Sequence, residues 1–176
     1  STAMHRVDGG TVINLSRDAR PGNWLPTGRS NRIVLILTVQ DASGDRLALG
    51  IGLSHKFFIE NSLGLDYSQP IPHTREYLTI LNGLLAGEAV SFKGELYRVK
   101  AQISVGNAAK PPVLVAALGP AMLRLCGRMA DGTITWMGGI DYLRDIAIPT
   151  MSEAAAMADR PAPRFVAMVP VLLSDD

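Results

Sequence analysis

Gly119-Pro120 is the point in this 176-residue chain where residue type and spacing most plainly prepare a chemical site. Val113–Leu118 before it is an apolar run without alternation, as in a parallel strand buried on both faces. After it, Met122, Leu123, Leu125, Cys126 and Met129 recur at helical spacing. Proline suits the first helical position, because its missing N–H would have no intrahelical partner there. Gly132 reads as the helix stop and Thr133–Met137 as a second buried strand. Such a βαβ unit turns the N–H groups of a helix start toward the carboxyl end of a sheet, where an anion can be held. No lysine adjoins the turn, so the anion would rest on backbone N–H groups and Arg124. A compact βα connection with no ligand is the other reading of the same residues.

The remaining reactive residue types exclude more than they offer. His5, His55 and His73 show no metal-ligand spacing, so no metal site is expected. His73 directly precedes a helix and reads as a surface or near-cap residue. Cys126 lies in the apolar register of its helix, which makes it an inert buried thiol; a lone cysteine excludes an internal disulfide and fits a cytoplasmic protein. Ser16 and Ser54 lack a Gly-x-Ser-x-Gly setting, which argues against a serine hydrolase. Gly50-Ile51-Gly52 begins a dinucleotide-type pattern that His55 breaks.

A net charge of +1 gives no case for nucleic acid or an anionic membrane, and 47% hydrophobic residues support a sizeable core. The apolar stretches are strand-sized, so none is expected to span a bilayer. The N-terminus lacks the continuous apolar core of a signal peptide, and Ser1-Thr2-Ala3 ahead of Met4 reads as a cloning scar.

The elements that must position these residues alternate. Thr11–Leu15 reads as a strand and Ser16–Ser30 as a loop. Asn31–Ala42 is rich in β-branched residues yet sits where a helix is needed. Leu47–Leu53 is a buried strand whose Gly50 and Gly52 permit close backbone approach. A loop follows to Gln69, with a helical turn at Lys56–Ser62. Thr74–Ala86 is an amphipathic helix with Arg75 and Glu76 in its first turn, Tyr77 and four leucines on one face, and Gly87 as stop. Val90–Val99 alternates around Lys93-Gly94 as a β-hairpin. Asp141–Ala158 is helical with a kink at Pro149, and Phe165–Leu173 is a last apolar strand. Alternating strands and helices predict a parallel sheet covered on both faces, and right-handed crossovers gather the strand ends Gly52–His55, Leu118–Pro120, Trp136–Gly139 and Ser174 on one rim.

The phrases LTVQDASGDRLALGIGLSHK, HTREYLTILNGLLAGEAVSFKGELYRV and PPVLVAALGPAMLRLCGRMADGTITWMGG resemble the bacterial luciferase-like superfamily, and within it the actinobacterial oxidoreductases that use the deazaflavin coenzyme F420. The resemblance covers roughly residues 37–173. It implies an α/β fold of parallel (β/α) TIM-barrel type with a β-hairpin insertion. The chain is shorter than the about 250 residues of a full barrel, so the barrel is expected to be incomplete, a shortened member of the family. Residues 1–36 do not match family sequence and stand as an atypical N-terminal segment before a partial barrel domain at 37–176.

The resemblance further implies that Ala117, Leu118, Gly119 and Pro120 hold the cofactor's phosphate-bearing tail, and that Gly52, Leu53, Ser54 and His55 approach the cofactor. His55, where some relatives carry an acidic residue, becomes the candidate catalytic proton donor or acceptor. Trp136 is either core packing or part of the lining of the cofactor ring. The expected activity is hydride transfer between F420 and a small-molecule substrate in a cytoplasmic homodimer or higher homo-oligomer. An FMN-dependent monooxygenase is the nearest alternative. A catalytically inactive partial barrel serving as an oligomeric scaffold is the alternative of another class.

Overall fold

A computed structural model describes residues 3–7, 10–14 and 30–173, with side chains from residue 32 onward. The chain divides into two compact units, Ser1–Val113 and Leu114–Asp176.

In the first unit, β1 (Ala3–Val7) runs antiparallel to β2 (Gly10–Asn14), and β2 runs parallel to β3 (Leu47–Ile51), with Thr11 opposite Leu47 and Asn14 opposite Gly50. A parallel pair needs a crossover, and the ambiguous segment resolves as the helix α1 (Ser30–Ala42). Its β-branched residues lose to a tertiary tie. Gln40 is buried, and its side-chain oxygen accepts the N–H of Leu47 at 3.0 Å, joining the end of the helix to the first residue of β3. The predicted strand Leu47–Leu53 stops two residues early, at Ile51.

The loop after β3 contains the expected helical turn, wound as a π-helical segment at Phe58–Ser62. α2 spans Pro70–Leu85 and so starts a full turn before the predicted Thr74. Proline inside a first turn removes no intrahelical bond, and Pro70 and Pro72 therefore lie within the helix, leaving Arg75 and Glu76 past its first turn. Thr74, Leu78, Ile80, Leu81, Leu84 and Leu85 form its buried face, and Gly87 follows the end at φ +76°. The predicted hairpin is present as β4 (Val90–Lys93) paired antiparallel with β5 (Arg98–Ala101).

The second unit is β6 (Val113–Ala116), α3 (Pro120–Met129), β7 (Gly132–Trp136), a helical run and β8 (Arg164–Met168). β7 pairs in parallel with both β6 and β8. The helical run comprises α4 (Ile140–Tyr142), a π-helical segment at Leu143–Ala147 and α5 (Ile148–Ala156). The predicted irregularity at Pro149 therefore falls just ahead of it, where a widened turn absorbs the ladder bond that proline cannot donate. The core of this unit joins Leu123, Leu125 and Cys126 of α3 to Met151, Ala154 and Ala155 of α5.

Three expectations need correction here. α3 is ended by the extended backbone of Ala130, and Gly132 is instead the first residue of β7. A Cβ on Gly132 would collide with the carbonyl of Arg164 on β8, so close strand approach is what the glycine serves. Met137 lies beyond β7, in a left-handed conformation. The last strand ends at Met168, and the apolar residues Val169, Val171, Leu172 and Leu173 are exposed. Composition made them look like strand, but no neighbour covers them among the described residues.

Candidate functional site

In the second unit the expected rim residues sit at the carboxyl ends of adjacent parallel strands. The N–H of Ala117 donates to the carbonyl of Ile134 at 3.3 Å, extending the β6–β7 ladder to the last buried position. Beyond it the chain surfaces: Leu118 is 40% exposed, Trp136 52% and Met137 59%, while Ala117 is buried. Packing of Trp136 and Met137 in the core is thus overturned. The rim also has a clasp that the sequence did not reveal, since the Tyr142 hydroxyl donates to the carbonyl of Leu118.

α3 begins at this rim. Gly119 is its N-cap, with extended backbone and no side chain bonded to the helix start. The first ladder bond runs from the Leu123 N–H to the Gly119 carbonyl at 3.0 Å. Pro120 has no N–H, so Ala121 and Met122 carry the amides that the helix itself leaves unpaired. A Cβ on Gly119 would meet nothing within 4 Å. These residues fit the phosphate-bearing tail of a flavin or deazaflavin: two N–H groups at a positive helix end, open space at the Gly119 Cβ position beside them, and neighbouring apolar side chains. Arg124 is exposed on the outer side of the same helix.

In the first unit, Gly52 and Leu53 are half-buried at the end of β3, and Ser54 and His55 are exposed. Ser54 adopts φ +66°, unusual for a residue with a side chain. The His55 carbonyl accepts the N–H of Ile59 at 3.0 Å, which makes it the start of the following helical turn.

Sequence reasoning missed a second polar cluster in this unit. His73 is no plain surface residue: it is half-buried, and the Tyr97 hydroxyl meets its Nε2 at 2.5 Å. Burial lowers the histidine's proton affinity, opposed by the nearby Glu76 carboxylate. Burial likewise pushes the Tyr97 phenol up, with Tyr77 and Glu76 adding to the shift. Glu76 accepts three backbone N–H bonds from the turn before β5, from Glu95 at 2.8 Å, Leu96 at 3.0 Å and Tyr97 at 2.9 Å. Those bonds hold its carboxyl below the usual range despite the opposing cost of partial burial. A Cβ on Gly94 would overlap the same carboxylate, so the Gly94-Glu95-Leu96-Tyr97 motif is a backbone cradle filled by this chain's own side chain.

The Cys126 thiol is buried and pushed up to about 12 by that burial, so it is neither a nucleophile nor a thiolate ligand. Among the described residues, no group of three or more His, Cys, Asp or Glu side chains is placed to hold a metal ion, and no helix is long and apolar enough to cross a membrane.

The F420-dependent glucose-6-phosphate dehydrogenase of Microbacterium testaceum is 35% identical over 120 residues, which cover 65% of this chain and 35% of that enzyme. Among solved structures, the coenzyme F420-dependent tetrahydromethanopterin reductase of Methanopyrus kandleri matches with a TM-score of 0.64 at 22% identity, over 78% of this chain and 44% of that one. The oxygenating constituent of a type II Baeyer–Villiger monooxygenase of Pseudomonas putida, solved with FMN, matches with a TM-score of 0.60 at 19% identity, over 78% and 43%. The chain thus spans between a third and a half of the length of these proteins, and the shared fold identifies its parallel βα units as part of a TIM-type barrel. The family model of luciferase-like monooxygenases matches residues 35–176, and the chain belongs to that family.

Proposed function

We infer that this chain carries part of the cofactor site of an F420-dependent oxidoreductase that moves hydride between the deazaflavin and a small-molecule substrate. The observation that carries the reading is the uncapped start of α3, open in front of Gly119 and flanked by exposed Leu118 and Trp136. Relatives named for F420 use support the choice of cofactor.

In this reading the Ala121 and Met122 N–H groups bind the anionic tail, and Ala117, Leu118, Gly119 and Pro120 shape its seat. Trp136 lines the ring and excludes water from one side of it. Gly52, Leu53 and Ser54 at the end of β3 are the further residues assigned to the cofactor, and His55 holds or delivers the proton that balances hydride transfer. When bound, the deazaflavin supplies the hydride chemistry. FMN in place of F420 is the second reading, favoured by the FMN-bound monooxygenase of the same fold.

The division into an N-terminal segment at 1–36 and a barrel portion at 37–176 belongs to the same proposal, as does a homo-oligomer, supported by the exposed Val171, Leu172 and Leu173. A single buried, unreactive thiol supports a cytoplasmic setting. Light scattering on the purified protein should give a mass above that of one chain; a clean monomer would remove the oligomer.

The deciding experiment is titration with F420 and, separately, FMN, followed by fluorescence. Saturation in the micromolar range by F420 supports the main reading and by FMN the second. Binding of neither by folded protein would favour the inactive scaffold.

A further inference from the structure

The loop leaving β3 contains a conformation that needs a cause. Ser54 stands at φ +66°, in the left-handed region that side-chain-bearing residues rarely adopt, and it is neither glycine nor asparagine. Thirteen residues later, the Tyr67 hydroxyl donates to the Ser54 carbonyl at 3.1 Å.

Tyr67 is itself held. The Asp66 carboxylate accepts the Ser68 N–H at 2.9 Å and the Ser68 hydroxyl at 2.6 Å, fixing the backbone on both sides of the tyrosine. The Leu65 N–H donates to the Ile59 carbonyl at 3.1 Å, closing the loop back onto its own helical turn. Tyr67 is half-buried, and burial raises its phenol above the ordinary tyrosine value, so it remains a donor across the neutral range.

We propose that Tyr67 is a positioning residue that locks the Ser54–His55 peptide in its left-handed turn and so presets the β3 rim for ligand. The argument is geometric. A trans peptide directs its C=O and N–H oppositely, so anchoring the Ser54 carbonyl to Tyr67 also fixes the direction of the His55 N–H. With the anchor gone, Ser54 relaxes toward negative φ, and the Ser54–His55 peptide rotates. Tyr67 touches neither substrate nor cofactor in this account. It acts through Ser54 and sets the fraction of molecules whose rim is ready to bind, and apparent affinity falls with that fraction.

The proposal rests on the cofactor-site reading above, and its test separates the two. Hydrogen exchange of the ligand-free protein is compared between wild type and Tyr67→Phe. Exchange across residues 54–59, which include the Ile59 N–H bonded to His55, should rise about fivefold, as expected for losing one modest hydrogen bond, with the rest of the first unit unchanged. Unchanged exchange overturns the proposal whatever the protein binds.

The second arm is fluorescence titration with F420 and with FMN. Tyr67→Phe should weaken binding about fivefold, and adding Ser54→Gly should restore most of it, because glycine adopts the left-handed conformation without an anchor. Ser54→Gly alone is the reference for the double variant, and in that background Tyr67→Phe should weaken binding by less than about twofold. Weakened binding that Ser54→Gly does not restore means that Tyr67 contacts the ligand directly, which also overturns the proposal. If wild type binds neither cofactor, the functional reading fails, and the exchange comparison alone decides the role of Tyr67.

Discussion

The turn before β5 and the start of α3 both present backbone N–H groups to a place where negative charge is stabilised, but only the first is filled from within. Glu76 reaches the turn across 19 to 21 residues of sequence and accepts three N–H bonds there. At α3 no side chain caps the helix, and Gly119 leaves open space in front of the first turn. A cradle filled by its own chain contributes stability. A cradle left open contributes less stability and keeps its donors available. The same backbone chemistry thus serves the fold in one unit and, in our reading, a ligand in the other.

Removing the filler should have the largest effect. Glu76→Ala leaves three N–H groups, two of them partly desolvated, without their acceptor and should cost about 2 kcal/mol in urea unfolding, with Glu76→Gln intermediate. A change under about 0.5 kcal/mol would mean that water replaces the carboxylate freely. Gly94→Ala attacks the same contact from the other side, because its methyl group must push the carboxylate out. It should cost about 1–2 kcal/mol, and the double variant should cost no more than Glu76→Ala alone. Full additivity would show that the two residues do not share one interaction.

A smaller effect is the pH dependence of the filled cradle. His73 and Glu76 both have proton affinities lowered by folding, from ordinary values of 6.5 and 4.5. A group whose affinity is lowered by folding contributes stability that is complete above its ordinary value and lost as pH falls through its folded one. The melting temperature should therefore decline in two stages, the first beginning below pH 6.5 and the second below 4.5. His73→Gln should flatten the first stage and Glu76→Gln the second. A wild-type melting temperature constant from pH 7 to 5.5 would deny the first.

How much of this could be read from sequence differs between the two cradles. The open one was legible: Val113–Ala116, Gly119-Pro120 and the helical spacing of Leu123 and Cys126 are local signals, and local signals predict local structure. The filled one was not, because nothing near Glu76 announces a partner so far along the chain. The bond between Tyr67 and Ser54 was hidden for the same reason. α1 was ambiguous because Ile33, Val34, Ile36 and Val39 favour strand locally, while the Gln40–Leu47 bond that settles it is tertiary. Val171–Leu173 were misjudged in the opposite direction: apolar character predicts burial, but these residues are exposed, whereas exposure of Trp136 removes only the core-packing half of its two readings.

The sharpest test converts the open cradle into a filled one. Gly119 sits at φ −75° and ψ 143°, an ordinary N-cap conformation that any residue can adopt, with room for a side chain. Gly119→Asp should place a carboxylate on the α3 start much as Glu76 lies on its turn. An aspartate cap at a helix start should then stabilise the protein by about 0.5 kcal/mol relative to glycine. The same carboxylate occupies the donors and repels an anion, so F420 or FMN binding should weaken at least about tenfold, the cost of losing a charge-assisted contact. Stability and binding are therefore expected to move in opposite directions from one substitution. Undiminished binding would show that the α3 start is not the seat of the anionic tail. Weakened binding together with lost stability would mean that Gly119 serves the fold and that the contrast between the two cradles does not hold.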